Sequence, residues 1–436
     1  MPATLAPAFI TERLTLANGL RVVLSPDRSA PAAVVAVYYD VGFRSEPEGR
    51  TGFAHLFEHL MFEGSVNVPK LGHAQLVQSN GGVFNGSTTT DYTNYFEQVP
   101  SNALELALFL EADRMRGVRL DEETLANQIA VVQEEIRSNI LNRAYGGMGW
   151  IHLPKIMFRT YNNSHDGYGS FEDLQSATTA DAADFFKRYY APGNAVLVVA
   201  GDFDTDAATG LIERHFGDIP GRKVPRRPAF GEPVPTSERR GEHVDPHAPS
   251  PAVVAGYRVP DPLGDLTDYL AAVLLIEVLT DGESSRLYQR LVAGDRSATH
   301  VMGWIGAFGN PLEVRDPALL QITAYHHTPA EAPAILAAVD EEVERLTADL
   351  DEPELARVRT AYVAAYLRRI DNLMPRALTI APFEQQRNAP ELINELPARL
   401  NDVTAGDVRA AAAEWLRPES RAVLEWKAGH GAGGGK

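Results

Sequence analysis

The chain contains no cysteine. That absence removes disulfide frameworks, thiol nucleophiles and every cysteine-based zinc site, so any metal must sit on histidines and carboxylates. Long apolar runs are missing too: none approaches the ~20 residues that a membrane span needs. The most apolar stretches, Ala195–Ala200 and Ala252–Tyr257, are short and read as buried strands. Positive charge is in deficit. Lysine and arginine total 40 against 58 acidic residues, a net charge of −18, which is the wrong sign for binding nucleic acid or an anionic membrane. The opening residues, MPATLAPAFITERLTLANGLRVVL, lack a basic stretch followed by an apolar core, so a signal peptide is not expected and a cytoplasmic protein is the simplest reading. What remains is globular in character, with 44% hydrophobic and 22% charged residues over 436 positions. At roughly 150 residues per domain, two to four domains are expected.

Leu14–Leu24 carries Asn18-Gly19 between apolar stretches, a hairpin signal. A strand is expected at Ala33–Tyr38 and a helix across Gly49–Gly64. Gly81–Gly86 and Thr93–Val99 read as paired strands. Helices are expected at Asn102–Arg116, Glu122–Asn142 and Thr179–Tyr190, and a strand at Asn194–Gly201. Seven prolines then fall between Pro220 and Pro249. They forbid a continuous helix and mark a linker or an extended connecting strand. The halves on either side echo each other. AVVAVY at Ala33–Tyr38 answers AVVAGY at Ala252–Tyr257, and Phe62-Glu63-Gly64 answers Thr280-Asp281-Gly282. Thr179-Ala180, Pro192 and Ala195-Val196-Leu197 answer Thr404-Ala405, Pro418 and Ala422-Val423-Leu424. Three matches in the same order, with slowly drifting offset, indicate an internal duplication. The expected fold is α+β, with two homologous domains, each a mainly antiparallel sheet packed with helices. The expected boundaries are 1–219, a Pro-rich linker at 220–249, 250–428, and a glycine-rich tail at 429–436.

The pentapeptide His55-Leu56-Phe57-Glu58-His59 concentrates the chemistry. On a helix of 3.6 residues per turn, residues i and i+4 project from one face, so both imidazoles can hold one Zn²⁺ with Glu58 beside it. Two histidines need a third ligand and an open position for water. The stretch Gln128–Arg137 offers Glu134 and Glu135, and spacing alone leaves either one possible.

The inverted HxxEH arrangement, followed by a glutamate about 76 residues later, resembles the pitrilysin/insulinase family of zinc peptidases, the inverzincins. Further matching stretches are Gly52–Gly64, Gly81–Gly86, Asp91–Tyr95, Val131–Ile136, Tyr190–Asn194 and Ser284–Leu287, spread over nearly the whole chain. The size is similar to that of processing-peptidase subunits. The resemblance implies zinc on His55, His59 and Glu135, with Glu58 as the general base in cleavage of unfolded peptides inside a clam-like chamber. It also implies that substrate adds as a strand along Val83–Ser87, held by Asn85 and the backbone of Gly86. Two departures stand out. Gln128 occupies the position seven before Glu135 where the family usually carries a supporting glutamate. Val292 and Thr299 stand where members that work alone or as homodimers place an Arg and a Tyr. Arg296 and His300 lie nearby at the wrong spacing, while Arg359 and Tyr366, seven apart, belong to a later helical stretch. The second half has Val273, Ile276 and Glu277 in place of HxxEH. The expected partner is therefore a homologous, zinc-free subunit supplying Arg and Tyr. The alternatives are a homodimer using Arg296 or His300, and a non-catalytic scaffold subunit of the same descent.

Overall fold

The structure is a computed structural model that describes residues 8–224, 226–327 and 331–429; all but the first residue of the expected glycine-rich tail lie outside the described residues. Strands β1 (Glu12–Thr15), β2 (Arg21–Pro26), β3 (Ala32–Tyr39), β4 (Val83–Thr88), β5 (Thr93–Pro100) and β6 (Ala195–Gly201) form one sheet in the order β1-β2-β6-β3-β5-β4. Strands β7 (Arg239–Asp245), β8 (Ala252–Arg258), β9 (Ala298–Ile305), β10 (Leu319–His326) and β11 (Ala422–Ala428) form a second, in the order β7-β11-β8-β10-β9. Without β1 the two orders coincide. In each sheet the last strand inserts between the first two, parallel to one (β2–β6, β7–β11) and antiparallel to the other (β3–β6, β8–β11). The fold is α+β and its two units repeat one topology. The echoed segments occupy equivalent places, and both halves start a helix with a capping box, Thr178 with Asp181 and Thr404 with Asp407. The reciprocal side-chain and backbone bonds satisfy two donors at each helix start. The cap in the first half is thus one residue earlier than the Thr179 match suggests.

In space the two compact units are discontinuous in sequence. One gathers the residues up to Gln133, Asp166–Pro228 and Ala365–Leu396; the other gathers Glu134–His165, Ala229–Ala364 and the residues from Pro397 on. Composition suggested continuous blocks. The physical reason for the exchange is that β3, β6, β8 and the start of β11 are buried, so each sheet needs a cover on both faces. The helix Leu373–Arg387 covers β3 and β6. Its Glu384 takes ion pairs from Arg13 and Arg21, and Arg376 pairs with Asp27. In the second unit, Met148, Leu153 and Met157 pack with Val254, Leu424 and Trp426. Part of the proline-rich stretch is itself a strand: β7 lies within it and runs parallel to β11.

That second unit contains an acid-sensitive cluster. The His152 and His243 rings lie 4.1 Å apart, and His243 lies 4.2 Å from the Trp426 ring. Burial, then the neighbouring His243 and Lys155, push the His152 pKa down to about 4, against an upward pull from Asp245. Burial also lowers His243. The unfolded chain takes up these protons near pH 6.5 while the folded chain resists them, so stability falls as pH drops from about 6.5 toward 4. His152→Gln is expected to flatten that slope by about 1 kcal/mol between pH 7 and pH 5, after allowance for partial exposure. Urea midpoints at both pH values check it, and an unchanged slope contradicts it.

Candidate metal centre

The helix Phe53–Leu60 buries Phe53, Leu56, Phe57 and Leu60. That is the i, i+3, i+4, i+7 stripe of an amphipathic helix, and it leaves His55, Glu58 and His59 together on the other, half-buried side. The start of the helix is held from two directions. Glu46, fully buried, accepts hydrogen bonds from the N–H groups of Gly52 and Ala54 at 2.9 and 2.7 Å. Asp173 accepts from the Thr51 N–H at 3.0 Å and from the Thr51 hydroxyl. Carboxylates here satisfy helix N–H groups that lack an intrahelical acceptor, and they favour the positive end of the helix dipole. Gly52 (φ 83°) and Gly169 (φ 88°) meet back to back, and a Cβ on either would lie 2.5 Å from a carbonyl oxygen of the other segment. This close approach sets the Tyr168 ring 4.6 Å from the His55 ring. Below the helix, Arg114 is sandwiched between Glu97 and Glu111, all fully buried, and stacks 4.4 Å from the Tyr95 ring. The Tyr95 hydroxyl donates to the Phe57 carbonyl at 3.4 Å. Burial raises the Glu97 carboxyl above its ordinary value, as it does Glu111.

The Nε2 atoms of His55 and His59 are 3.3 Å apart. Two ligands bound at 2.0–2.1 Å with a tetrahedral angle between them sit about 3.3 Å apart, so the pair already has the spacing zinc requires. The helix Glu122–Ile136 carries Glu135 near its end. One ligand atom from each of His55, His59 and Glu135 lies within 4.8 Å of the others, the only such cluster among the described residues. Glu134 points elsewhere: its side chain is 70% exposed and pairs with Arg137 at 3.1 Å. Gln128, two turns before Glu135 on the same helix, is buried.

Glu58 Oε2 accepts a hydrogen bond from the Thr88 hydroxyl at 2.7 Å. Thr88 ends β4, which among the described residues is the outermost strand of its sheet and pairs only with β5. Gly86 is pressed against the helix. A Cβ there would lie 3.2 Å from Glu58 Cγ, from the Phe62 ring and from the Asn94 carbonyl oxygen. Asn85 is exposed on β4, and its side-chain oxygen accepts the Gly86 N–H at 2.9 Å. The second unit keeps this packing without the chemistry. Gly303 of the edge strand β9 meets Ile276, the residue answering Glu58. Val273 is buried, and burial with a nearby Asp281 pushes Glu277 up to about 7. Thr299 donates to the Tyr325 carbonyl at 3.2 Å. Arg296, in the left-handed region at φ 55°, and His300 are exposed. Arg359 and Tyr366 are committed to the Val403 and Ile393 carbonyls at 2.6 and 2.9 Å.

Sequence reasoning missed Glu46, Thr88, Tyr168 and Asp173, which hold or touch the histidine helix. No local pattern marks them, because each reaches the helix through a tertiary contact.

Comparison with known proteins identifies the family. Residues 21–150 match the model of the insulinase family, peptidase family M16, and residues 176–362 match that of the M16 inactive domain. The zinc protease PqqE of Helicobacter pylori is 27% identical over 93% of this chain and 90% of its own length. The uncharacterized zinc protease ML0855 of Mycobacterium leprae is 31% identical over 64% of this chain and 62% of its own. The crystal structure of a protease from Helicobacter pylori superposes with a TM-score of 0.87 at 26% identity, covering 96% of this chain and all of that one. With the two family models together spanning most of the duplicated fold, the chain belongs to the pitrilysin/insulinase family, M16.

Proposed function

We propose that this chain is the zinc-bearing, catalytic subunit of an endopeptidase that cuts unfolded peptides inside a chamber. The observation that carries the reading is the His55–His59 nitrogen spacing of 3.3 Å with Glu135 beside it and Glu58 on the same helix face. These donors fit zinc in number and kind. Held by His55, His59 and Glu135, zinc would supply Lewis acidity. Glu58 would take the proton of an attacking water on its carboxylate and return it to the leaving amine, with the Thr88 hydroxyl fixing the orientation of that carboxylate. The substrate adds as a further strand along the open edge of β4, which the absence of a Cβ at Gly86 allows to lie close against Glu58. Asn85 flanks that path. Gln128 supports Glu135 without adding charge.

Val292 and Thr299 supply neither a cation nor a phenol, so the chamber's far wall requires a partner. The chain is expected to act as a heterodimer with a homologous, zinc-free subunit carrying Arg and Tyr. The purified chain should contain about one zinc, show little cleavage of an unfolded-peptide library alone, and gain activity with its partner. Chelation should abolish that activity and zinc restore it. Cleavage that survives exhaustive chelation overturns the peptidase mechanism, and absence of zinc after gentle purification favours a scaffold subunit. Robust activity of the chain alone, reduced by Arg296→Ala or His300→Ala, overturns the heterodimer.

A further inference from the structure

A cavity lies within the first unit, with a volume of about 410 Å³, in the range of small-molecule sites. Four arginines line it, Arg21, Arg188, Arg226 and Arg227, against a single carboxylate, Asp40. In a chain of net charge −18 such a cluster runs against the overall field, so a local cause is called for. Two of the guanidinium groups are neutralised within the fold. Arg21 pairs with Glu384 at 3.2 Å. Arg227 bridges Asp40 and the fully buried Asp91, which also takes Arg44 at 3.2 Å. These buried or half-buried pairs fix the wall. The other two guanidinium groups are placed differently. Arg226 is exposed, and among the described residues Arg188 pairs only across one helical turn with Asp184, both side chains more than half exposed. An exposed pair of this kind yields readily to a ligand that offers more charge.

We propose that this cavity binds a compact, multiply charged anion, gripped by Arg188 and Arg226 and seated against the fixed Arg21 and Arg227. Guanidinium forks match phosphate and carboxylate oxygens in pairs, and two exposed forks beside a wall fixed by ion pairs suit a ligand carrying several such groups. The site does not depend on the zinc residues, so its failure and that of the peptidase reading are separable.

The test is titration calorimetry of the full chain in 150 mM salt (about an 8 Å screening length), with tripolyphosphate and citrate as probes. One saturable site per chain is expected, weakened at least about tenfold in the R188A/R226A double variant. Preference for tripolyphosphate assigns a phosphate ligand, and preference for citrate a polycarboxylate. D184A, which frees Arg188, should tighten binding. The proposal is overturned if neither probe saturates. It is also overturned if binding is the same in the double variant, the signature of a probe that merely chelates metal, or if D184A weakens binding.

Discussion

Glu58→Gln is expected to retain about one zinc per chain while peptide cleavage falls by about 10²–10⁴-fold, the usual contribution of a positioned acid–base group. Gln is nearly isosteric with Glu, and its side-chain oxygen can still accept the Thr88 hydroxyl that Glu58 accepts at 2.7 Å. The tight packing of Gly86 against Cγ is likewise undisturbed, since only the terminal atoms change. Neither fold nor metal site should respond. What is lost is the ability to take a proton, so the effect should fall on kcat rather than on zinc content or the unfolding midpoint. Full turnover by the variant, with contaminating protease excluded, would remove Glu58 from the mechanism.

The second large effect separates two adjacent glutamates. Glu135→Ala should weaken zinc binding by more than about 100-fold, because removing a ligand exceeds the 10–100-fold cost of losing a group that merely supports one. Glu134→Ala should leave zinc content and cleavage unchanged. Glu134 is 70% exposed and its pairing with Arg137 spans less than one helical turn, an arrangement contributing only about 0.3–0.5 kcal/mol. Competition with a zinc-binding dye reads both variants in one assay. If zinc retention followed Glu134 instead, the ligand set His55, His59 and Glu135 would be wrong despite its geometry.

Much of this site was legible in the sequence because its parts obey local periodicities. His55, Glu58 and His59 share a helix face by spacing alone, opposite the apolar Phe53, Leu56, Phe57 and Leu60 that hold the helix down. The lack of cysteine restricted the third ligand to a carboxylate. The repeated apolar and capping signals revealed the duplication, which the strand orders β2-β6-β3-β5-β4 and β7-β11-β8-β10-β9 express in three dimensions.

Other features depend on which distant surfaces meet. Glu134 and Glu135 are equivalent in composition and differ only by the roughly 100° between successive helical residues. Which of them faces the histidines depends on how the helix Glu122–Ile136 packs, a matter of tertiary contact. The same holds for Glu46 and Asp173, which secure the start of the histidine helix from segments 6 and 122 residues away from their partners Gly52 and Thr51. It holds too for the helix Leu373–Arg387, which leaves its own half of the sequence to cover β3 and β6. Sequence by itself determined the duplicated α+β fold and the paired histidines with their glutamate, since hydrophobic period and ligand spacing are properties of neighbouring residues. Tertiary structure decided which of the two glutamates lies beside the histidines, which residues brace the site and how the covering helices are exchanged, because those choices are made by burial between surfaces that no local pattern records.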